Sequence, residues 1–274
     1  MSITEFGLNQ EGRDVRITVS LTSFPARMNT VHLTVQTLLM QSVKPDRVVL
    51  WLAEEQFPNK EGDLTESLLR LKEFGLSIEW THDTRSYKKL IPSLKKYPDD
   101  IIITADDDIY YESDTVEKLY QAYVQNPSQI YAHRIWRIVK KGDALSIVKK
   151  KKMYGMWQDL YPASFLNYQL GYGTVLYPPH CLNEAVLDEA NFTSLVPTQD
   201  DIYFWAMAVL NGTKIAGVKG YHFHSSTIEN TQNSGLCKIN NASGDGMSAL
   251  QAIEIMMNHY PELKSRVSEV LKEA

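Results

Sequence analysis

The chain has 274 residues, 43% hydrophobic and 22% charged, which fits one large α/β domain, or a domain with an appendage, in an ordinary globular protein. Its 28 basic and 33 acidic residues leave a net charge of −5, which argues against a general nucleic-acid binder but leaves room for a local basic patch. The two cysteines, Cys181 and Cys237, lie far apart without metal-ligand spacing, which argues against a disulfide framework and fits a reducing compartment.

Met1 to Asp14 is polar and carries acids, with no apolar core of signal-peptide length. No window approaches the roughly 18–20 apolar residues of a membrane span. The sequons at Asn191, Asn211 and Asn241 therefore carry no weight. The expectation is a cytoplasmic protein, at most peripheral to the inner face of the plasma membrane.

Val15–Thr22 reads as a first strand and Ser23–Arg27 as a loop, with Pro25 ending the strand. Asn29 or Thr30 then caps a helix whose apolar positions Val31, Val35, Leu38 and Leu39 recur at helical spacing. Arg47–Leu52 is the second strand, so the chain opens on a βαβ unit. Thr65–Phe74 is a helix ended by Gly75, and Leu76–Trp80 a third strand. Ser86–Lys96 is a helix containing Pro92.

Ile101–Ile103 begins a β-branched, wholly apolar strand, of the kind buried on both faces of a parallel sheet. It runs into Asp106, Asp107 and Asp108. Unpaired buried charges cost several kcal/mol each, so these acids belong at the strand's C-terminal end, where open α/β sheets bind ligands. Helix capping is the bland alternative, but one cap needs one acid. Asp114 caps a further helix, Thr115–Gln125.

The second half is less regular. Ile130–Val139 and Ala144–Lys149 suggest a hairpin, followed by the basic run Lys149–Lys152. Gly171–Tyr177 reads as a glycine-bearing strand, and Asp200–Leu210 as a helix opened by two acids. Ile215–Val218 is a short strand and Tyr221–His224 its extended tail. Ser234–Asp245 reads as a loop, and the chain from Ala249 onward as one or two helices.

Five constellations carry chemistry. Asp106 and Asp108 alternate onto one side of an extended end and could share a hard divalent cation, Mn²⁺ or Mg²⁺, with Asp107 pointing the other way in a hydrogen-bonding role. Asp200 and Asp201 sit at a helix N-terminus, which favours carboxylates and keeps a general base ionised; plain capping is the alternative. His222 and His224 point to one face of an extended segment, and His222 is the preferred further metal ligand over two satisfied histidines. After the third strand, Asp83 could bond a base or ribose, while Lys88 and Lys89 could meet a diphosphate, unless they are ordinary surface lysines. Arg134, Arg137, Lys140, Lys141 and Lys149–Lys152 are either a solvated face or an approach to anionic lipid head groups or a lipid-linked diphosphate.

Taken together, Val19–Arg27, Tyr87–Pro92, Thr104–Tyr111 and Gln199–Trp205 resemble bacterial GT-A fold glycosyltransferases, close to the inverting family two and its capsule and lipopolysaccharide relatives. The resemblance runs from about Val15 to His224. It implies a Rossmann-like, mostly parallel central sheet flanked by helices. It further implies one domain over 1–274, with a nucleotide-sugar-binding half over about 15–125 and an acceptor-binding half over about 126–274.

In that resemblance Thr22, Phe24 and Arg27 line a nucleotide pocket, with Asp83 near the base. Asp106 approaches ribose or metal and Asp108 binds the cation, which neutralises the leaving diphosphate. Asp201 is the base and Asp200 binds the acceptor sugar; Gly171–Gly173 forms the acceptor floor, and Trp136, Trp157 and Tyr172 stack on sugars. The implied activity is a metal-dependent hexosyltransferase with inversion, moving sugar from a nucleotide-sugar, UDP-linked by prior, to a glycan or lipid-linked saccharide in surface polysaccharide synthesis. Two departures stand out: the family's usual Glu-Asp is Asp200-Asp201 here, and no family-two membrane helices follow. Two alternatives stay open: a nucleotidyltransferase acting on a sugar phosphate, against which the glycine-free loop Ser23–Arg27 counts, and a non-catalytic carbohydrate-binding protein.

Overall fold

The computed structural model describes residues 3–148, 162–218, 226–229, 231 and 247–273. Its fold is α/β, with a mostly parallel sheet flanked by helices. The chain forms two compact units, Met1–Gln121 with His224–Gly235, and Ala122–Phe223 with Leu236–Ala274.

The first unit is built on four parallel strands in the order β4-β1-β2-β3: β1 (Ile17–Thr22), β2 (Arg47–Ala53), β3 (Leu76–Thr81) and β4 (Ile101–Ala105). Val19 aligns with Val48 on one side and Ile103 on the other, and all three are fully buried. Leu21 aligns with Ala105 and Leu50, and Ala53 with Thr81, so the strands finish at one edge. The loops that follow β1, β3 and β4 therefore gather along that edge, as in other open parallel sheets.

Helix α1 (Val31–Leu39) buries the predicted apolar positions Val31, Val35, Leu38 and Leu39. The expected helix 65–74 is shorter: α2 (Glu66–Leu69) tightens into a 3₁₀ segment, Arg70–Phe74, and ends on Gly75 at φ +112°. The expected helix 86–96 is also broken. A 3₁₀ turn covers Arg85–Lys89, and α3 (Ile91–Lys96) starts afresh. The cause is Pro92, which has no N–H for the Lys88 carbonyl and whose ring would collide with it. The Lys89 carbonyl accepts the Ser20 hydroxyl at 2.7 Å. Ser20 and Ser93 hydroxyls lie 2.7 Å apart, and Ser93 also accepts Trp51 Nε1 at 2.8 Å. Helix α4 (Thr115–Gln125) follows the acids as expected.

The first unit also holds a pairing that sequence does not announce: β5 (Ile109–Tyr110), just after the acids, pairs antiparallel with β12 (Ser226–Thr227). The Ile228 N–H extends it by donating to the Asp108 carbonyl at 2.8 Å.

In the second unit β6 (Ile130–Ala132) pairs parallel with β11 (Ile215–Gly217) and antiparallel with β10 (Val175–Tyr177). A three-stranded antiparallel sheet orders β8 (Ala144–Val148), β7 (Ile135–Lys141) and β9 (Asn167–Gln169) as β8-β7-β9. The predicted hairpin arm 130–139 is thus two strands in different sheets, divided at His133 and Arg134. There His133 N–H donates to the Thr174 carbonyl at 3.3 Å and Leu170 N–H to the Arg134 carbonyl at 3.0 Å.

The predicted strand 171–177 begins instead as a 3₁₀ turn, Gly171–Gly173, because the Gly171 N–H serves a side chain rather than a ladder. Helix α5 (Glu189–Leu195) was not foreseen. Helix α6 (Asp200–Leu210) is apolar all round and buried from Ile202 to Val209, as a helix enclosed by its neighbours must be. Among its neighbours are α7 (Ala249–His259) and α8 (Pro261–Glu273). Arg266 of α8 donates to the Val209 and Leu210 carbonyls at 2.7 and 3.1 Å, satisfying the C-terminal end of α6. Among the described residues no helix is long and apolar enough to cross a membrane.

Candidate functional site

In the first unit the acids that follow β4 are matched by cations from two loops. The 3₁₀ turn Pro25–Arg27 after β1 carries Arg27 inward. Its buried guanidinium lies 3.0 Å from Asp108 Oδ2 and 3.6 Å from Asp107 Oδ1, and 5.7 Å from the Phe24 ring centre. The broken helix after β3 delivers the other two cations. Lys89 Nζ reaches Asp106 Oδ1 at 3.1 Å, and Lys88 pairs with Asp83; both lysines are buried. Four carboxylates, Asp83, Asp106, Asp107 and Asp108, thus meet three buried cations along one sheet edge.

Each acid differs in its fixing. Asp107 takes a 2.5 Å hydrogen bond from Ser23 Oγ. Burial pushes its carboxyl up from the ordinary 3.8 to about 6; Ser23 and Arg27 oppose the shift, while Asp108 and Asp106 add to it. Asp106 is held through its backbone: its N–H donates to Tyr111 Oη at 2.9 Å. Tyr111 is itself buried, which drives its hydroxyl well above its ordinary value. Asp83 accepts Gln56 Nε2 at 2.8 Å and the Arg85 N–H at 2.9 Å. Burial works to raise its pKa, but the Lys88 and Arg85 hydrogen bonds and charges prevail and hold it below the ordinary value. Thr22 Oγ1 donates to the Trp51 carbonyl at 2.8 Å, and Phe24 is half-buried.

Asp106 and Asp108 suit a hard divalent cation in donor type, since Mg²⁺ and Mn²⁺ prefer carboxylate oxygen. Both are paired with cationic side chains, Lys89 and Arg27. Among the described residues no group of three or more His, Cys, Asp or Glu could hold a metal, so an ion here would draw its remaining ligands from substrate and water. The expected ligand His222, together with His224, Trp157 and Lys149–Lys152, lies outside the described residues.

In the second unit Asp200 and Asp201 open α6. Asp200 is buried. Both carboxylate oxygens of Asp201 lie 3.0 Å from the Gly171 N–H, and its carbonyl accepts Gln169 Nε2 at 2.9 Å. The 3₁₀ turn Gly171–Gly173 is therefore shaped around this carboxylate. Gly173 packs so close to Arg134 that a Cβ would lie 3.0 Å from Arg134 Cβ. Tyr168 is buried beside Asp201; burial and that carboxylate's charge both drive its hydroxyl far above the ordinary value. Trp136 meets Tyr168 edge-on at 5.9 Å, and Arg134 lies 5.0 Å over the Tyr172 ring and donates to its hydroxyl.

Sequence reasoning named the acids and lysines but missed Ser23, Tyr111 and Tyr168, and it did not anticipate that Arg27 pairs with Asp107 and Asp108. The signal for Arg27 was available: three adjacent acids at the end of a buried strand need cations, and Arg27 stands in the facing loop.

No protein-family model matches the chain, and no curated protein matches it. Solved structures do. A crystal structure of S. aureus TarS 1–349 is similar with a TM-score of 0.52 at 14% identity, over 89% of this chain and 71% of that one. A cytidylyltransferase from Leptospira borgpetersenii gives 0.47 at 12% identity, over 92% and 97%. A UTP-bound UGPase from Acinetobacter baumannii gives 0.43 at 10%, over 94% and 99%. At 14% identity the likeness to the TarS structure is one of fold.

Proposed function

We propose that the protein is a metal-dependent glycosyltransferase that moves a sugar from a nucleotide-sugar, UDP-linked by prior, to a saccharide or lipid-linked saccharide in the synthesis of a bacterial surface polysaccharide. The observation that carries this reading is the different treatment of two sets of acids. Those after β4 are matched by Arg27, Lys88 and Lys89, the pattern of a site built for a phosphate group with its counter-ion. Asp201 instead stands in the first turn of a helix with both oxygens 3.0 Å from one backbone N–H, the kind of placement a general base needs. The segments that resemble inverting GT-A enzymes support the same division.

In this reading Asp106 and Asp108 would hold a divalent cation, which when bound would supply Lewis-acid neutralisation of the diphosphate's charge. Lys88 and Lys89 add fixed positive charge to that end of the donor, and Asp83 fixes the nucleoside. Asp201 takes the proton of the acceptor hydroxyl as oxygen attacks the anomeric carbon, and the single displacement inverts it. Asp200 and Tyr172 hold the acceptor sugar. Asp107 stays hydrogen-bonded to Ser23 and keeps the acid turn in shape.

The test is incubation with a panel of nucleotide-sugars, Mn²⁺ or Mg²⁺ and saccharide acceptors, reading nucleoside diphosphate release and the glycan product. Pyrophosphate release from a nucleoside triphosphate and a sugar 1-phosphate, without sugar transfer, would replace this reading by nucleotidyl transfer.

A further inference from the structure

The position of Arg27 carries a consequence for how the cation enters. Its side chain is 4% exposed, on a turn started by Pro25 and closed by the Arg27 N–H donating to the Phe24 carbonyl at 2.9 Å. Its Nη1 stands 3.0 Å from Asp108 Oδ2. A divalent ion bound to that oxygen would sit about 2 Å from it, and so within about 5 Å of the guanidinium nitrogen. Two such cations repel strongly at that range in a buried place. The ion and the arginine therefore compete for Asp108.

A buried guanidinium leaves its carboxylate readily only when another anion receives it, because an uncompensated buried charge is costly. A diphosphate is such an anion, and arginine binds phosphate oxygens in pairs. Lys89 stands to Asp106 as Arg27 does to Asp108, at 3.1 Å and 8% exposed.

We infer that Arg27 is a built-in counter-ion of Asp108 that holds the cation site closed until a nucleoside diphosphate arrives, so that metal and diphosphate bind together and the metal alone binds weakly. This rests on the cation site of the proposed function, but it concerns the order of binding and the role of one residue. Arg27 is a positioning residue here, and its removal opens the site to free metal. A merely structural arginine would do the reverse, since its loss would loosen the acid turn and weaken any ion held there.

The experiment is Mn²⁺ binding to nucleotide-free protein, by calorimetry or electron paramagnetic resonance. Arg27→Gln should bind Mn²⁺ about tenfold or more tightly than the unaltered chain. Arg27→Lys should bind as weakly as the unaltered chain, and adding Asp108→Asn to Arg27→Gln should abolish the gain. UDP should tighten Mn²⁺ binding greatly in the unaltered chain and much less in Arg27→Gln. Should Arg27→Gln fail to fold, Arg27→Gln with Asp107→Asn removes one charge of each sign from the cluster and is read in the same way. Equal or weaker Mn²⁺ binding in Arg27→Gln, or in Arg27→Gln with Asp107→Asn where the single variant does not fold, overturns the inference, as does an unaltered chain that binds Mn²⁺ as tightly without UDP as with it. The two readings fail separately. Metal-dependent sugar transfer without the Arg27→Gln gain removes only the counter-ion role, whereas the gain without any sugar transfer removes only the glycosyltransferase reading.

Discussion

Replacing Asp107 by asparagine should make the protein more stable at neutral pH and change little in acid. Asp107 is 13% exposed, and burial raises its carboxyl from 3.8 to about 6 in the folded chain. Below pH 3.8 the folded and unfolded forms are both protonated and the group contributes nothing. Between the two values the folded form keeps a proton that the unfolded form has lost, so unfolding becomes easier as pH rises. Above pH 6 the penalty is constant. A shift of roughly two pH units is worth about 3 kcal/mol, at about 1.4 kcal/mol per unit. Asparagine carries no charge and can still accept the Ser23 hydroxyl through its amide oxygen. The stability gap between Asp107→Asn and the unaltered chain should therefore grow from about 1 kcal/mol at pH 4.5 to about 3 kcal/mol at pH 7.5. Urea unfolding in EDTA across that range measures it. A gap that stays flat with pH would refute the reasoning, because it would mean that Asp107 ionises in the folded chain as it does in the unfolded one.

Gly75→Ala should cost at least about 1 kcal/mol: Gly75 stands at φ +112°, and a Cβ there would lie 2.5 Å from Leu8 Cγ. Chemical denaturation checks it, and a neutral result would mean that Leu8 moves aside and the turn relaxes. Cys181 is buried and burial drives its thiol far above the ordinary value, so in a Cys237→Ser background it should resist alkylation until the chain unfolds. Rapid labelling of the native protein, followed by mass spectrometry, would contradict that.

The parts of the fold that could be read from sequence are those where local pattern and tertiary packing agree. Ile101–Ala105 is apolar on both sides of its pleat and is buried at every position, so its three trailing acids could only be at its end. The helix at Asp200 is equally plain, since an unbroken apolar run behind two acids leaves little else for it to be.

The errors fall where a residue answers to a distant partner. Gly171 looks like part of a strand, but its N–H is committed to Asp201, thirty residues on, and the backbone turns to serve it. The run 130–139 has continuous strand character, yet it divides between two sheets at His133 and Arg134, where cross-chain hydrogen bonds decide the path. Pro92 is visible in the sequence, but the partner that makes a break there favourable is not: the Ser20 hydroxyl, on a distant strand, donates to the Lys89 carbonyl. The pairing of Ile109–Tyr110 with Ser226–Thr227 spans more than a hundred residues and involves only two on each side, too few to leave a periodic signal.

In the site, residue types were legible and partnerships were not. Asp106 and Asp108 were recognisable as a pair, and Lys88 and Lys89 as cations after the third strand, but the pairing of each lysine with an acid was not. That Arg27 is buried against Asp108 follows only once β1 and β4 are adjacent, with Leu21 aligned to Ala105. Charge balance was the clue that sequence did hold, since an acid cluster of this size at a sheet edge asks for cations from the next loop.

The central claim is that Asp201 acts as base on an acceptor while the acids after β4 serve the donor. Its most direct measurement compares the unaltered chain with Asp201→Asn in the presence of Mn²⁺, a nucleotide-sugar that it turns over and a saccharide acceptor, following both donor binding and sugar transfer. The account predicts unchanged binding of the nucleoside diphosphate and a loss of transfer of about 100-fold or more. Full transfer by Asp201→Asn, or no nucleoside diphosphate binding by the unaltered chain with any divalent cation, would contradict it.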